Sequence, residues 1–266
     1  MYLSHKAVHS EFAPAQRHMG TYETEEIRYP PSFDPPPRSQ NGSPSLERNG
    51  QPPRGKDHYG DRRLPDWVKE QRESWHGVDY MYHGGINFED FFHRYTETLR
   101  GIDDSVGSVL GYLDRNGLAE DTLVIYMGDN GFSFGEHGLI DKRRFYEESA
   151  KVPLIVRWPS KLEGGEPIES LVQNIDIAPT ILEAAGIQAP QEMQGMSFVP
   201  LMTRADPPWR DRIFYEYFWE LDFPQTPTMF GVRTDRYKYI RYHGIWDTNE
   251  FYDLENDPNE MQNLID

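Results

Sequence analysis

Cysteine is absent from the 266-residue chain. Its absence excludes disulfides, thiolate metal sites and a cysteine nucleophile from this sequence. It leaves the compartment open, since an exported protein need not carry disulfides. Long hydrophobic runs are missing too, none approaching the ~20 residues of a membrane helix, so no membrane partner is expected. No secretory leader is visible: Met1 runs into YLSHKAVHS, with His5 and Lys6 where an apolar segment is needed. Cations are scarce, 27 Lys and Arg against 44 Asp and Glu, for a net charge of −17. That balance argues against nucleic acid as the main partner and against a polybasic membrane anchor. It also repels anionic substrates at long range, so a site for one must concentrate its own cations.

What is present gathers around one stretch, Asp121 to Pro159. Two apolar runs bracket it, Leu123 to Met127 and Val152 to Trp158, each too short for a helix. Each reads as a buried strand of an α/β sheet. Between them stand Asp129 and Asn130, then His137, then Asp141, Lys142, Arg143 and Arg144. Ligands of open α/β sheets bind beyond the carboxyl ends of strands, where these residues fall. Adjacent carboxylate and amide oxygens suit a hard cation such as Ca²⁺ or Mg²⁺, although Asn130-Gly131 is equally a turn signal. A lysine nearby suits an anion held against that cation, although a lone Lys beside two arginines is more often solvated.

Residues 29–60 are dense in Pro, Gly, Ser and Asn, and no helix or central strand survives that many prolines. The whole excursion over 30–86 reads as a cleft-lining loop or a solvated insertion. Leu64 to Trp75 reads as a short helix with Pro65 in its first turn. Phe88, Phe92, Tyr95, Leu99, Ile102, Val106, Val109 and Leu113 paint one face of a long helix. Asn87 is its candidate N-cap and Asn116-Gly117 its stop. Asp103 and Asp104 lie on that helix and diverge by about 100°, so they are no metal pair. Ile168 to Val172 reads as short and extended. Ile175 to Ala185 reads as a helix capped by Asp176 and stopped by Gly186. From about Asp206, aromatic alternating runs predict an antiparallel sheet with a hairpin turn at Thr234-Asp235-Arg236. The expected organisation is a partial α/β domain over 1–205 and a small antiparallel subdomain over 206–266.

The ordered blocks YLSHKAVH (2–9), GDNG, GEHG, DKRRFYEES, KVPLIVRWP, QNIDIAPTILEAAGI (173–187) and EFYDLENDPNEMQNL (250–264) together resemble the C-terminal half of a sulfatase, of the alkaline-phosphatase superfamily. The wording is closest to bacterial glycan sulfatases of the N-acetylglucosamine-6-sulfatase type. The resemblance implies a mixed-sheet α/β fold and hydrolysis of sulfate esters of a glycan or an aryl sulfate. It implies that Asp129 and Asn130 are Ca²⁺ ligands, that Lys142 contacts the sulfate, and that His9 protonates the leaving oxygen. Lys6 is a lesser substrate-binding candidate. His137 either contacts substrate or holds its own loop together. Trp75-His76 offers an aromatic wall for a sugar or a packed pair.

A sulfatase nucleophile is a Cys or Ser converted to formylglycine within Cys/Ser-x-Pro-x-Arg. Ser43-Pro44 fails that spacing, with Leu46 where Arg is required. The nucleophile, an acidic metal-binding pair and a Lys-x-His block are therefore expected upstream of Met1, in an N-terminal half of the same fold. On this reading the chain is inactive alone, and its parent is periplasmic or extracellular. Two other readings stand beside it: a phosphoester or phosphonate hydrolase of the same superfamily, and a non-catalytic sulfatase-like remnant. Sugar, linkage and oligomeric state are not legible.

Overall fold

The computed structural model describes residues 1–9, 11–33, 63–71, 74, 76–78, 87–165, 167–203, 207–244 and 247–265. The Pro-rich excursion over 34–62, Ser43-Pro44 and Trp75 lie outside the described residues.

Helix α1 spans Asp66–Gln71, inside the expected segment. Its first two free amides, of Asp66 and Trp67, donate to the Asp247 carboxylate at 3.0 Å each, a cap supplied from far along the chain. Helix α2 spans Phe88–Arg115, and Asn87 caps it as expected, its side chain accepting from the Asp90 amide at 2.8 Å. The chain leaves α2 through Gly117 at φ +66°, a left-handed turn that disfavours a side chain. Phe88, Phe91 and Ile102 are buried, whereas the C-terminal half of the apolar stripe is only half-covered.

Strands β1, Val124–Met127, and β4, Leu154–Arg157, pair antiparallel with each other, Val124 opposite Arg157 and Met127 opposite Leu154. The expected full burial does not hold: both strands are half-buried, and Ile155 is 61% exposed. A continuous apolar run marks a strand made to be covered on both faces, and among the described residues no further strand flanks this pair. Between them sits a hairpin the periodicity did not reveal, β2 at Ser133–Phe134 and β3 at Ile140–Asp141, two residues each. Helix α3, Glu147–Ala150, follows.

Ile168 to Val172 forms no strand. A 3-10 turn at Asn174–Asp176 leads into helix α4, Ile177–Ala184, and a short α5 covers Val199–Met202. Asp176 does not cap α4 with its side chain. Its buried carboxylate instead accepts from the amides of Gln173 and Met196, 2.8 Å each, and from Arg210. Strands β5 (Arg212–Tyr217), β6 (Met229–Thr234), β7 (Tyr237–Tyr242) and β8 (Glu250–Asp253) form an antiparallel meander in that order, as the alternation predicted.

Two apolar clusters meet at β3. One holds Trp67, Val68, Leu139, Phe145, Tyr146, Met229, Ile240 and Tyr252, joining α1 and the four-stranded sheet to the hairpin. The other holds Phe12, Phe33, Val78, Phe88, Phe91 and Ile140, joining α2 to the same hairpin. Leu139 and Ile140 are consecutive residues pointing to opposite faces, so this short strand ties the two cores together.

Candidate active site

Asp129 and Asn130 follow β1 directly. Asp129 is exposed, and among the described residues its carboxylate accepts only the Asn130 amide, at 3.0 Å. The Asn130 side chain donates Nδ2 to the Gly131 carbonyl at 2.7 Å, which leaves Oδ1 as the amide atom available to a ligand. Gly131 is required by close approach: a Cβ there would lie 2.0 Å from the Glu148 carbonyl oxygen. Its own amide donates to the Ser149 carbonyl at 2.9 Å, tying the loop to α3.

Lys142 directly follows β3, whose Asp141 pairs with Ser133, three residues past Asn130. The three consecutive cations then part ways. Arg144 is buried and donates to the Gln71 side chain at 2.9 and 2.6 Å. Arg143 pairs with Asp141 at 2.7 Å and with Glu220 at 3.5 Å, its guanidinium 3.3 Å from the centre of the Phe223 ring. Of the three, Lys142 makes no hydrogen bond or ion pair among the described residues and stays partly exposed. An unspent ammonium beside two anchored arginines is free to take an anion.

His9 and Lys6 are exposed on the N-terminal segment, where the His9 amide donates to the Lys6 carbonyl at 2.9 Å. Three residues on, Phe12 packs against Phe132 at 6.5 Å and Phe134 at 6.4 Å between ring centres. The segment is thereby pinned to the residues that follow Asn130. His137 has a different setting: it is wholly buried at φ +55°, its amide donates to the Ser32 carbonyl at 2.8 Å, and its ring stacks on Tyr146 at 4.3 Å. His76 is buried as well, 5.0 Å from the Phe223 ring, and burial lowers its pKa to about 4, so it is neutral at pH 7.

Behind this face lies a polar core that no sequence pattern announced. Lys238 is fully buried; its ammonium donates to the Phe145 carbonyl (2.7 Å) and pairs with Glu147 (2.8 Å) and Glu260 (2.7 Å). Glu147 is thereby held down at about 2 against the upward pull of its own burial. Glu250 accepts hydroxyl hydrogen bonds from Tyr146, Tyr242 and Tyr252, yet burial keeps its pKa up at about 7. Burial and the neighbouring Glu136 likewise raise Glu148 to about 7. These groups sit under the Lys142 to Ala150 segment and hold it on the sheet. Among the described residues no three His, Asp or Glu side chains are grouped to hold a metal ion, and no helix is long and apolar enough to cross a membrane.

A family model described as "Sulfatase" matches residues 2–187, and one described as "N-sulphoglucosamine sulphohydrolase, C-terminal" matches 135–266. The chain is 35% identical over 186 residues to an N-acetylglucosamine-6-O-sulfatase of Bacteroides thetaiotaomicron, covering 67% of this chain and 32% of that protein. It is 39% identical over 141 residues to the N-acetylglucosamine-6-sulfatase of Bos taurus, covering 52% and 25%. A solved structure described as a complex with its substrate D-glucosamine-2-N,6-O-disulfate superposes with a TM-score of 0.74 at 25% identity, covering 97% of this chain and 59% of that one. The chain thus spans about a third or less of the curated relatives just named. With both family models covering it end to end and a glycan-sulfatase fold superposing on nearly all of it, the chain belongs to the sulfatase family.

Proposed function

We propose that the chain is the C-terminal portion of a sulfatase that hydrolyses sulfate esters of a sulfated glycan, and that it works together with an N-terminal half of the same fold. The observation that carries this reading is the match of two sulfatase family models that together cover the chain, with Lys142 making no hydrogen bond or ion pair among the described residues and Asp129 exposed after β1. The exposed apolar side chains of Met1, Tyr2, Leu3, Ile155 and Ile181 support the second half, since these are what a further layer would cover.

Lys142 holds the sulfate as a point charge and balances the negative charge that builds as the S–O bond breaks. His9 delivers a proton to the departing alcohol oxygen. Asp129 Oδ and Asn130 Oδ1 fit Ca²⁺ in kind, both being hard oxygen donors, but two ligands are fewer than the six or more it takes. The remaining ligands therefore belong to the other half. Bound there, Ca²⁺ would neutralise the sulfate oxygens, and a formylglycine hydrate from the same half would supply the attacking oxygen. Lys6 reaches the glycan from the His9 segment. His137, stacked on Tyr146, acts on substrate only through the shape of its loop.

A second reading, hydrolysis of phosphate or phosphonate esters, draws on one relative. The chain is 31% identical over 183 residues to a multifunctional alkaline phosphatase superfamily protein of Trinickia caryophylli. The test is turnover of an aryl sulfate, an aryl phosphate and 6-sulfated N-acetylglucosamine, with Ca²⁺, by the chain alone and after an upstream half is added. Sulfate release only after addition is the expected result. Turnover by the chain alone, or phosphate release exceeding sulfate release, would overturn the reading. Silence in both conditions would favour a non-catalytic remnant.

A further inference from the structure

One cleft lies outside the residues assigned above. It has a volume of about 300 Å³ and is walled by Trp67 and Trp219, with Pro224, Gln225, Thr228 and His243 among its lining. That is the lower end of the range for small-ligand sites and room for a single ring-sized ligand. Its two indoles differ in character. Trp67 is 8% exposed and held edge-on against Tyr242, ring centres 5.3 Å apart. Trp219 is 50% exposed although its position is built: its amide donates to Thr228 Oγ1 at 2.8 Å and its indole N–H to the Pro224 carbonyl at 3.3 Å. An indole fixed in place with half its surface in water presents a preformed stacking face to a ligand. Around the rim, the Gln225 amide and the His243 ring make no hydrogen bond among the described residues, so both keep their hydrogen-bonding capacity for a ligand.

The cleft is coupled to the sulfate-binding face by one loop. Residues 218–228 carry Trp219 and Gln225 into the cleft, and the same loop carries Glu220 and Phe223 onto Arg143. Arg143 adjoins Lys142 in the chain, so the loop that walls the cleft also touches the residue next to the proposed sulfate contact. Aromatic faces flanked by neutral donors and acceptors match a pyranose, whose C–H face stacks on an indole while its hydroxyls seek hydrogen bonds. A second sulfate is a poorer match, because no Lys or Arg lines the cleft.

We infer that this cleft is an uncharged-sugar subsite, binding a neutral pyranose of the glycan beside the unit whose sulfate meets Lys142. The inference rests on the sulfated-glycan reading for its placement but not for its chemistry. It is tested by titrating the 266-residue chain with unsulfated N,N′-diacetylchitobiose and with the same disaccharide 6-sulfated, following tryptophan fluorescence. Saturable binding of the unsulfated disaccharide is expected, weakened by about tenfold or more in Trp219→Ala, as for loss of one good stacking contact, and restored in Trp219→Phe. Lys142→Ala should remove the gain that sulfation brings. No saturable signal with the unsulfated sugar, or binding indifferent to Trp219→Ala in protein that still unfolds cooperatively, would overturn the inference. Sugar binding with no gain on sulfation would leave the subsite standing and sink the sulfatase placement instead.

Discussion

Lys142 and Lys238 show how one residue type takes opposite roles within a single chain. Lys142 has no partner among the described residues, so its loss should leave the fold untouched, within about 0.5 kcal/mol. In the completed enzyme, Lys142→Ala should still lower kcat/KM for sulfate esters by about 10²–10³-fold, as for other removed transition-state donors. Steady-state kinetics set against urea unfolding of the same variant check both halves of that expectation. Lys238 is the reverse case. Replacing it with Met strands the fully buried Glu260, leaves Glu147 with Arg233 as its remaining cation, and should cost about 3 kcal/mol in urea unfolding. Adding Glu260→Gln should recover part of the loss, and no recovery would mean that the charge pairing is not its cause. Neither role could be read from spacing. Lys142 sits in a run of three cations and Lys238 in an alternating strand, and only the partners that the fold delivers separate them.

The element that matters most is the β2–β3 hairpin with α3 behind it. It lies between Asn130 and Lys142 in the chain and leans on Gly131, whose missing side chain admits the Glu148 carbonyl. Gly131→Ala should therefore destabilise by about 1–3 kcal/mol, the usual range for overpacking, read as a drop in urea midpoint. The carboxylates beneath this element set its pH response. Glu250 and Glu148, at about 7 against the ordinary 4.5, hold protons in the folded state that the unfolded chain has released. Their contribution is full below about pH 4.5 and is lost as pH rises through 7. Glu147, at about 2, acts oppositely, its contribution being lost as pH falls from 4.5 toward 2. The thermal midpoint should thus fall between pH 5 and pH 8, and fall less steeply in Glu250→Gln. A midpoint that rises over that interval would contradict the arrangement. Long elements were legible beforehand: α2 with its Asn87 cap, and β5 to β8. The two-residue strands of the hairpin were not, since two residues carry no periodicity.

At the scale of the whole molecule, the exposed β1–β4 pair and the isoleucines of the α4 region leave apolar surface uncovered. The chain alone should self-associate as its concentration rises, and become monodisperse when an upstream half is supplied, which light scattering can follow. Ca²⁺ should leave the thermal midpoint of the isolated chain unchanged, because Asp129 and Asn130 offer too few oxygens. It should raise the midpoint once the ligand set is complete, and chelation should reverse the gain. A Ca²⁺-dependent rise in the isolated chain would show that two ligands are not the whole of its own site.

The sequence by itself determined the family blocks, the long helix, the aromatic meander and the identity of the candidate site residues. Those features are local, and period, turn chemistry and residue order report them without knowledge of what packs where. Only the tertiary structure decided that Lys142 is the one of three consecutive cations without a partner among the described residues, that His137 is buried against Tyr146, and that Glu147, Glu250 and Lys238 form the buried polar core. It alone brought Trp67 and Trp219, distant in the chain, to face one cleft. The buried polar core and the cleft depend on pairings between residues dozens of positions apart, such as Lys238 with Glu147, and pairings of that range are set by packing rather than by local pattern.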